Sequence, residues 1–134
     1  GHGVGNHTWA HERGRQTSEA DYTASLAKAQ EWTRTKAFRP PYGSITRAQA
    51  KAIRYSHRIV LWDVLSLDYI TNLSGKHCAH NVIRHARPGS IVVFHDSLKA
   101  EPRLRMALPA VLTHFGAAGY RFAALPFAIP SLLR

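Results

Sequence analysis

Ser90-Ile91-Val92-Val93-Phe94-His95 decides the fold. Successive strand residues point to opposite faces, so an unbroken apolar run needs cover on both sides, as strands of a helix-flanked parallel sheet do. Pro88-Gly89 interrupts the chain just before it. Upstream, Ser74 caps a predicted helix that runs through Val82 and Ile83 to His85. Downstream, the pattern predicts a helix over 104–117, ended near Gly116 or Gly119, and a last strand over 120–125. His95 stands at the carboxyl end of the strand, where such sheets build their sites.

The N-terminal half reads in the same alternation. Gly3-Val4-Gly5-Asn6 is a loop or strand entry that delivers His7, and a polar, basic turn follows over 12–17. Thr17 or Ser18 caps a helix to about Lys36, with Glu19 and Asp21 at the positive end of its dipole and Tyr22, Leu26, Ala29 and Trp32 at helical spacing. Ala37-Phe38-Arg39 is a short strand stopped by Pro40-Pro41, which cannot donate ladder hydrogen bonds, and Gly43 completes the turn. Thr46 starts a helix to about Ser56, residues 58–62 read as a buried strand, and residues 63–73 as a loop. Strands and helices alternating every roughly 25 to 30 residues describe right-handed βαβ units, hence an α/β fold. The strands are too few for a closed parallel barrel of about eight, so the expectation is an open sheet or part of a barrel. The apolar tail over 126–134 is expected to pack over one end.

The chain has 134 residues, 45% hydrophobic and 19% charged, which suits one globular domain over 1–134. Its 18 Lys+Arg against 8 Asp+Glu give a formal charge of +10, spread along the sequence rather than gathered in a block. Solvated helix faces account for most of it, and nucleic acid is not an expected partner. Cys78 is the only cysteine, so neither an internal disulfide nor a cysteine metal cluster can form. No apolar run reaches the ~20 residues of a membrane span. The chain opens at Gly1 and its one methionine is Met106, so the start of the gene product is expected to be processed or to lie upstream.

Three further segments carry chemistry. His7-Thr8-Trp9-Ala10-His11 holds two imidazoles four residues apart, which a helix or a strand-to-turn transition brings together and an unbroken strand, rising ~3.3 Å per residue, does not. Such a pair by itself is more often incidental than metal-binding. Arg39-Pro40-Pro41-Tyr42-Gly43 is a rigid turn able to hold a backbone amide where negative charge develops, worth about 3 kcal/mol for a single oxyanion donor in a known case. Trp62-Asp63-Val64-Leu65-Ser66-Leu67-Asp68-Tyr69 offers two carboxylates. A lone histidine such as His95 is by default a structural one.

In this order and at these separations, the segments resemble motifs of the polysaccharide deacetylase family, the NodB-type carbohydrate esterases. The resemblance implies a (β/α) barrel-like fold and hydrolysis of N-acetyl groups on amino-sugar polymers such as peptidoglycan or chitin-like oligomers. It further implies that His7 and His11 ligate a divalent metal, usually zinc, that Arg39 faces the catalytic Asp, and that the Tyr42 amide stabilises the oxyanion. His95 becomes the general acid, steered by Asp68, with Asp63 as the alternative carboxylate. Tyr69, where the family usually has Trp, and Val93, where it usually has Leu, line the acetyl pocket. The family's first Asp motif, source of the base and a third ligand, is absent, since no Asp precedes Asp21. The expectation is an N-terminally truncated deacetylase lacking its first strands, impaired in activity and prone to self-association through an exposed sheet edge. A catalytically inactive glycan-binding homologue is the alternative. Family membership implies the cell envelope or the extracellular space.

Overall fold

Short parallel strands alternate with helices in this computed structural model, which describes residues 2–125. The order is α1 (Glu19–Thr33), β1 (Ala37–Phe38), α2 (Arg47–Ile53), β2 (Arg58–Ile59), β3 (Val64–Leu65), α3 (Gly75–His85), β4 (Val92–Val93) and α4 (Glu101–Ala117). The chain divides into two compact units, one running through Leu61 and the other Trp62–Ala123. Among the described residues the sheets are parallel and do not close into a barrel.

In the first unit β1 pairs with β2 in the register Ala37 to Arg58 and Phe38 to Ile59. Asn6 adds a parallel bridge on the other side of β1, its N–H donating to the Ala37 carbonyl (2.8 Å) and its carbonyl accepting from Arg39 N–H (2.9 Å). Ser18 caps α1 by accepting the Asp21 N–H, and Thr46 forms a full capping box with Gln49. Helix α1 buries Tyr22, Leu26 and Ala29 and ends at Thr33, with Arg34 in the left-handed region at φ 45°. Trp32, expected on this face, is 76% exposed. At about 100° per residue it lies well round the helix from Tyr22, and Thr33 takes the inward angle instead. Tyr22, Leu26, Phe38 and Ile53 form the core.

The buried Gln49 fastens the loop before α1 to α2, its Nε2 donating to the Gly14 carbonyl (2.8 Å) and the Thr17 carbonyl (3.1 Å). Gly14 sits so close that a Cβ would lie 2.4 Å from the Ser44 carbonyl oxygen and 2.7 Å from Gln49 Oε1. Only glycine fits this approach.

In the second unit β3 pairs with β4, Val64 to Val92 and Leu65 to Val93. Helices α3 and α4 pack over them around Val64, Cys78, Ala79, Val82, Ala107, Val111 and Phe115. Ser74 caps α3. The Asp63 carboxylate accepts from Ser90 Oγ and from Ile91 N–H, both at 2.7 Å, and so ties the start of β3 to that of β4. These bonds pull its pKa below the ordinary 3.8.

Four expectations are corrected. The strand over 58–62 shrinks to Arg58–Ile59 and is not buried, with Leu61 47% exposed. The expected loop over 63–73 contains β3, a strand too short for periodicity to reveal. Helix α4 starts three residues early, at Glu101, because Pro102 falls in its first turn where no N–H is needed. Residues 120–125 form no strand: Tyr120 N–H turns back to the Phe115 carbonyl (2.9 Å) and residues 121–124 are exposed. Without a neighbouring ladder, the aromatic content of Tyr120 and Phe122 does not make a strand. The tail over 126–134 lies outside the described residues.

Candidate active site

The candidate residues form two clusters, one in each unit. In the first, the chain leaves the Asn6 bridge and turns sharply, with Thr8 at φ 60° and His11 at φ 55°. This brings the rings of His7 and His11 to a centroid separation of 4.9 Å, edge to face. His7 Nδ1 lies 2.6 Å from the Arg39 carbonyl oxygen. A carbonyl only accepts, so Nδ1 carries the proton, and in the neutral ring the lone pair is then on Nε2, the tautomer suited to ligating through Nε2. The turn is also held by Thr8 N–H donating to Asn6 Oδ1 (3.0 Å), Thr8 Oγ1 donating to Glu12 (2.8 Å), and Trp9 N–H donating to Ser25 Oγ (3.0 Å). Burial alone would raise the Glu12 pKa, but hydrogen bonds led by that from Ser25 bring it below its ordinary value.

Pro40-Pro41 carries the chain into a tight turn whose hydrogen bonds use the N–H groups of Gly43 and Ser44. The Tyr42 amide stays outside that pattern, and Tyr42 itself is left-handed at φ 57°. Its ring packs edge to face on His11 (4.8 Å between centroids) and under the Arg13 guanidinium (3.7 Å). The Arg39 side chain is half-buried, which lowers its pKa through desolvation.

The second cluster centres on a fully buried Asp68. Its Oδ1 is 2.7 Å from His95 Nδ1, and its Oδ2 accepts the His95 backbone N–H at 2.7 Å. Both oxygens are engaged by one residue, fixing the ring's orientation and leaving Nε2 at its outer edge. Asp63, the alternative carboxylate, is instead committed to Ser90 and Ile91. Tyr69 packs edge to face on the His95 ring (4.8 Å), and Val93, 8% exposed, lies two residues back on β4. The buried Arg103 donates from Nε to the Asp68 carbonyl (2.6 Å), from Nη1 to the Thr71 carbonyl and from Nη2 to the Lys99 carbonyl, holding this segment in place. Leu67, just before Asp68, is at φ 65°.

Of the five non-glycine residues at positive φ among the described residues, Thr8, His11, Tyr42 and Leu67 fall within these motifs and Arg34 is an ordinary helix cap. Such geometry costs of order 1–3 kcal/mol per residue and persists where surroundings enforce it, often at functional sites. Among the described residues no group of three or more His, Cys, Asp and Glu side chains is arranged to hold a metal ion. The first turn brings two imidazoles together, and so offers a divalent ion at most two nitrogen ligands from His7 and His11. Sequence reasoning missed Ser25 and Arg103, which lie in no motif that could have marked them, and the Arg39 carbonyl, because the motif gave that residue a role through its side chain alone.

Residues 1–57 match the family model described as polysaccharide deacetylase. A peptidoglycan-N-acetylglucosamine deacetylase of Bacillus cereus is 30% identical over 134 residues, covering 94% of this chain and 48% of that protein. The chain thus spans about half the length of this curated relative. The crystal structure of a peptidoglycan N-acetylglucosamine deacetylase bound to a substituted benzamide superposes with a TM-score of 0.87 at 28% identity, covering 94% of this chain and 62% of that one. A mutant CE4 family pseudoenzyme with restored enzymatic activity gives a TM-score of 0.74 at 25% identity, covering 87% and 44%. With its motifs carried on short parallel strands alternating with helices, the chain is similar to the polysaccharide deacetylases, the NodB-type carbohydrate esterases, in its N-terminal family match, in its curated relatives and in fold.

Proposed function

We propose that this chain carries part of the catalytic machinery of a metal-dependent deacetylase that removes N-acetyl groups from amino-sugar polymers, peptidoglycan or chitin-like glycans, at the cell envelope or outside the cell. The observation that carries the reading is the contrast in how two histidines are anchored. His7 donates Nδ1–H to a neutral carbonyl, which favours a ring that gives its Nε2 lone pair, whereas His95 donates to a buried carboxylate, which suits a ring that takes and returns a proton.

His7 and His11 would hold the ion, and zinc is among the first-row metals that imidazole ligands suit. When bound, such an ion polarises an amide carbonyl and makes water a stronger acid. The Tyr42 N–H, held by the proline turn, donates to the oxygen on which charge develops. His95 delivers a proton from Nε2 to the departing amine, and Asp68 keeps the ring in the required tautomer. Arg39 offers a cation to a carboxylate base, and Tyr69 and Val93 bound the acetyl methyl.

With two imidazoles as the ligand set among the described residues, acetate release by this chain alone is expected to be weak. The same feature favours a second reading, a catalytically silent glycan binder. The test measures acetate released from N-acetylglucosamine oligomers, and oligomer binding, with and without zinc, for the parent, His7→Ala and His95→Ala. Zinc-dependent release lost in both variants supports the deacetylase. Oligomer binding indifferent to zinc and to His7→Ala, with no release, supports the silent binder. Robust release without zinc would sink the metal-dependent reading.

A further inference from the structure

Behind the His7 turn lies a buried polar chain that neither the fold nor the proposed chemistry has yet used. Asn6, 1% exposed, spends every polar atom of its side chain. Nδ2 donates to the Leu26 carbonyl (3.0 Å) and to Gln30 Oε1 (3.2 Å), while Oδ1 accepts from Thr8 N–H (3.0 Å). Gln30 Nε2 donates to the Thr35 carbonyl (2.9 Å), so its amide cannot be flipped without opposing two carbonyl oxygens. Gln30 Oε1 also lies 3.0 Å from Nε2 of His57, a histidine only 7% exposed. Desolvation, with Lys36 adding to it, lowers the His57 pKa and keeps the ring neutral at pH 7. Its proton must then sit on Nε2, facing Gln30, with Nδ1 accepting from Ser56 Oγ (2.8 Å).

Hydrogen bonds therefore run without a break from Ser56 through His57, Gln30 and Asn6 to the Thr8 amide, between the two candidate ligands. Thr8 holds a left-handed φ of 60° that a threonine does not adopt unaided. We propose that Gln30 and His57 are positioning residues, which through Asn6 lock the turn that presents His7 and His11 to the metal. Metal ligation is itself the reading proposed above, and the role of Gln30 and His57 rests on it. The chain joins α1, the end of α2 and the segment before β1, so it couples the turn to the body of the unit rather than to adjacent residues.

The test uses the whole 134-residue chain with Gln30→Met, His57→Leu and His57→Gln, whose amide keeps a donor toward Gln30. Zinc affinity is measured by competition with a chromophoric chelator, and the His7 tautomer and Thr8 amide exchange by nitrogen-15 NMR without metal. Far-UV circular dichroism confirms folding. Gln30→Met and His57→Leu are expected to weaken zinc binding about 10- to 100-fold, the usual cost of losing a partner behind a ligand, and to speed Thr8 exchange. His57→Gln is expected to restore both toward the parent. Folded Gln30→Met and His57→Leu variants with parental zinc affinity and Thr8 exchange would overturn the proposal. So would loss of fold in both, which would assign the chain of bonds to stability alone. If the parent and His7→Ala bind zinc equally, the metal reading fails, and the NMR measurements still decide whether this network sets the turn.

Discussion

The two units solve one problem in opposite ways. Each presents a histidine whose Nδ1 is tied down, yet in the first the anchor is the Arg39 backbone carbonyl and in the second the buried Asp68 side chain. A carbonyl fixes the tautomer without adding charge. A carboxylate fixes it and also offers a full negative charge to a ring that gains a proton. The supports differ accordingly: amides and hydroxyls of Asn6, Ser25 and Gln30 surround the first turn, whereas the Arg103 guanidinium braces the second. The first turn is not wholly neutral, since Thr8 Oγ1 donates to the Glu12 carboxylate, but the acceptor behind His7 is a carbonyl and that behind His95 a carboxylate, which suit a lone-pair donor and a proton carrier respectively.

The comparison breaks most visibly if metal binding does not belong to the first unit alone. His7→Ala and His11→Ala are each expected to lower zinc affinity more than about 100-fold, while His95→Ala leaves it unchanged, by isothermal titration. Next in size is Asp68→Ala, which strands the backbone and ring N–H groups of His95. Removing an ionised acceptor of two such bonds is expected to cost about 2–4 kcal/mol in urea unfolding, the lower figure if water reaches the ring, whose side chain is 39% exposed. Asp63→Ala should cost less, since its partners are exposed and water replaces it.

A pair of glycines tests close packing in each unit. Gly14→Ala forces a Cβ to 2.4 Å from a backbone carbonyl, which must move, and is expected to cost about 2–3 kcal/mol. Gly75→Ala brings its Cβ to 2.7 Å from Met106 Cβ, an atom fixed to the backbone of α4 that a change of rotamer does not move, so α3 and α4 must shift apart. It is expected to cost a similar amount, about 2–3 kcal/mol, by thermal or urea unfolding.

Acid gives the smallest effect and separates the units by pH. The folded-state pKa of His57 lies below its ordinary 6.5, so the unfolded chain takes up the proton first. Its contribution is complete above pH 6.5 and declines as pH falls from there toward the folded value. The Asp63 pKa is also depressed, from 3.8. Its contribution is complete above the unfolded value and is lost only as pH falls through the folded one. Residue-resolved hydrogen exchange is therefore expected to loosen the first unit on going from pH 7 to 5.5 and to leave the second unit unchanged. His57→Gln should remove that difference, and its persistence would break the explanation.

Helix starts were legible because they depend on neighbours in sequence: Ser18, Thr46 and Ser74 each bond an amide three residues on. Strands were less so. β3 is recognisable only beside β4, and residues 120–125 have strand-like composition without a ladder partner among the described residues. Trp32 misled because an aromatic at roughly helical spacing need not fall inside the buried arc. In the site, motif spacing marked His7, His11, Asp68 and His95. It could not mark Gln30, His57 or Arg103, whose importance comes from bonds to segments far along the chain.

By itself the amino-acid sequence determined the α/β alternation, the helix caps and the family motifs, all of which rest on interactions within a few residues or on the identities of side chains. Tertiary structure alone decided that the Arg39 carbonyl sets the His7 tautomer, that Asp68 rather than Asp63 meets His95, and that buried amides hold the His7 turn. These depend on which lone pair faces which proton, and that geometry exists only once distant segments pack and water is excluded.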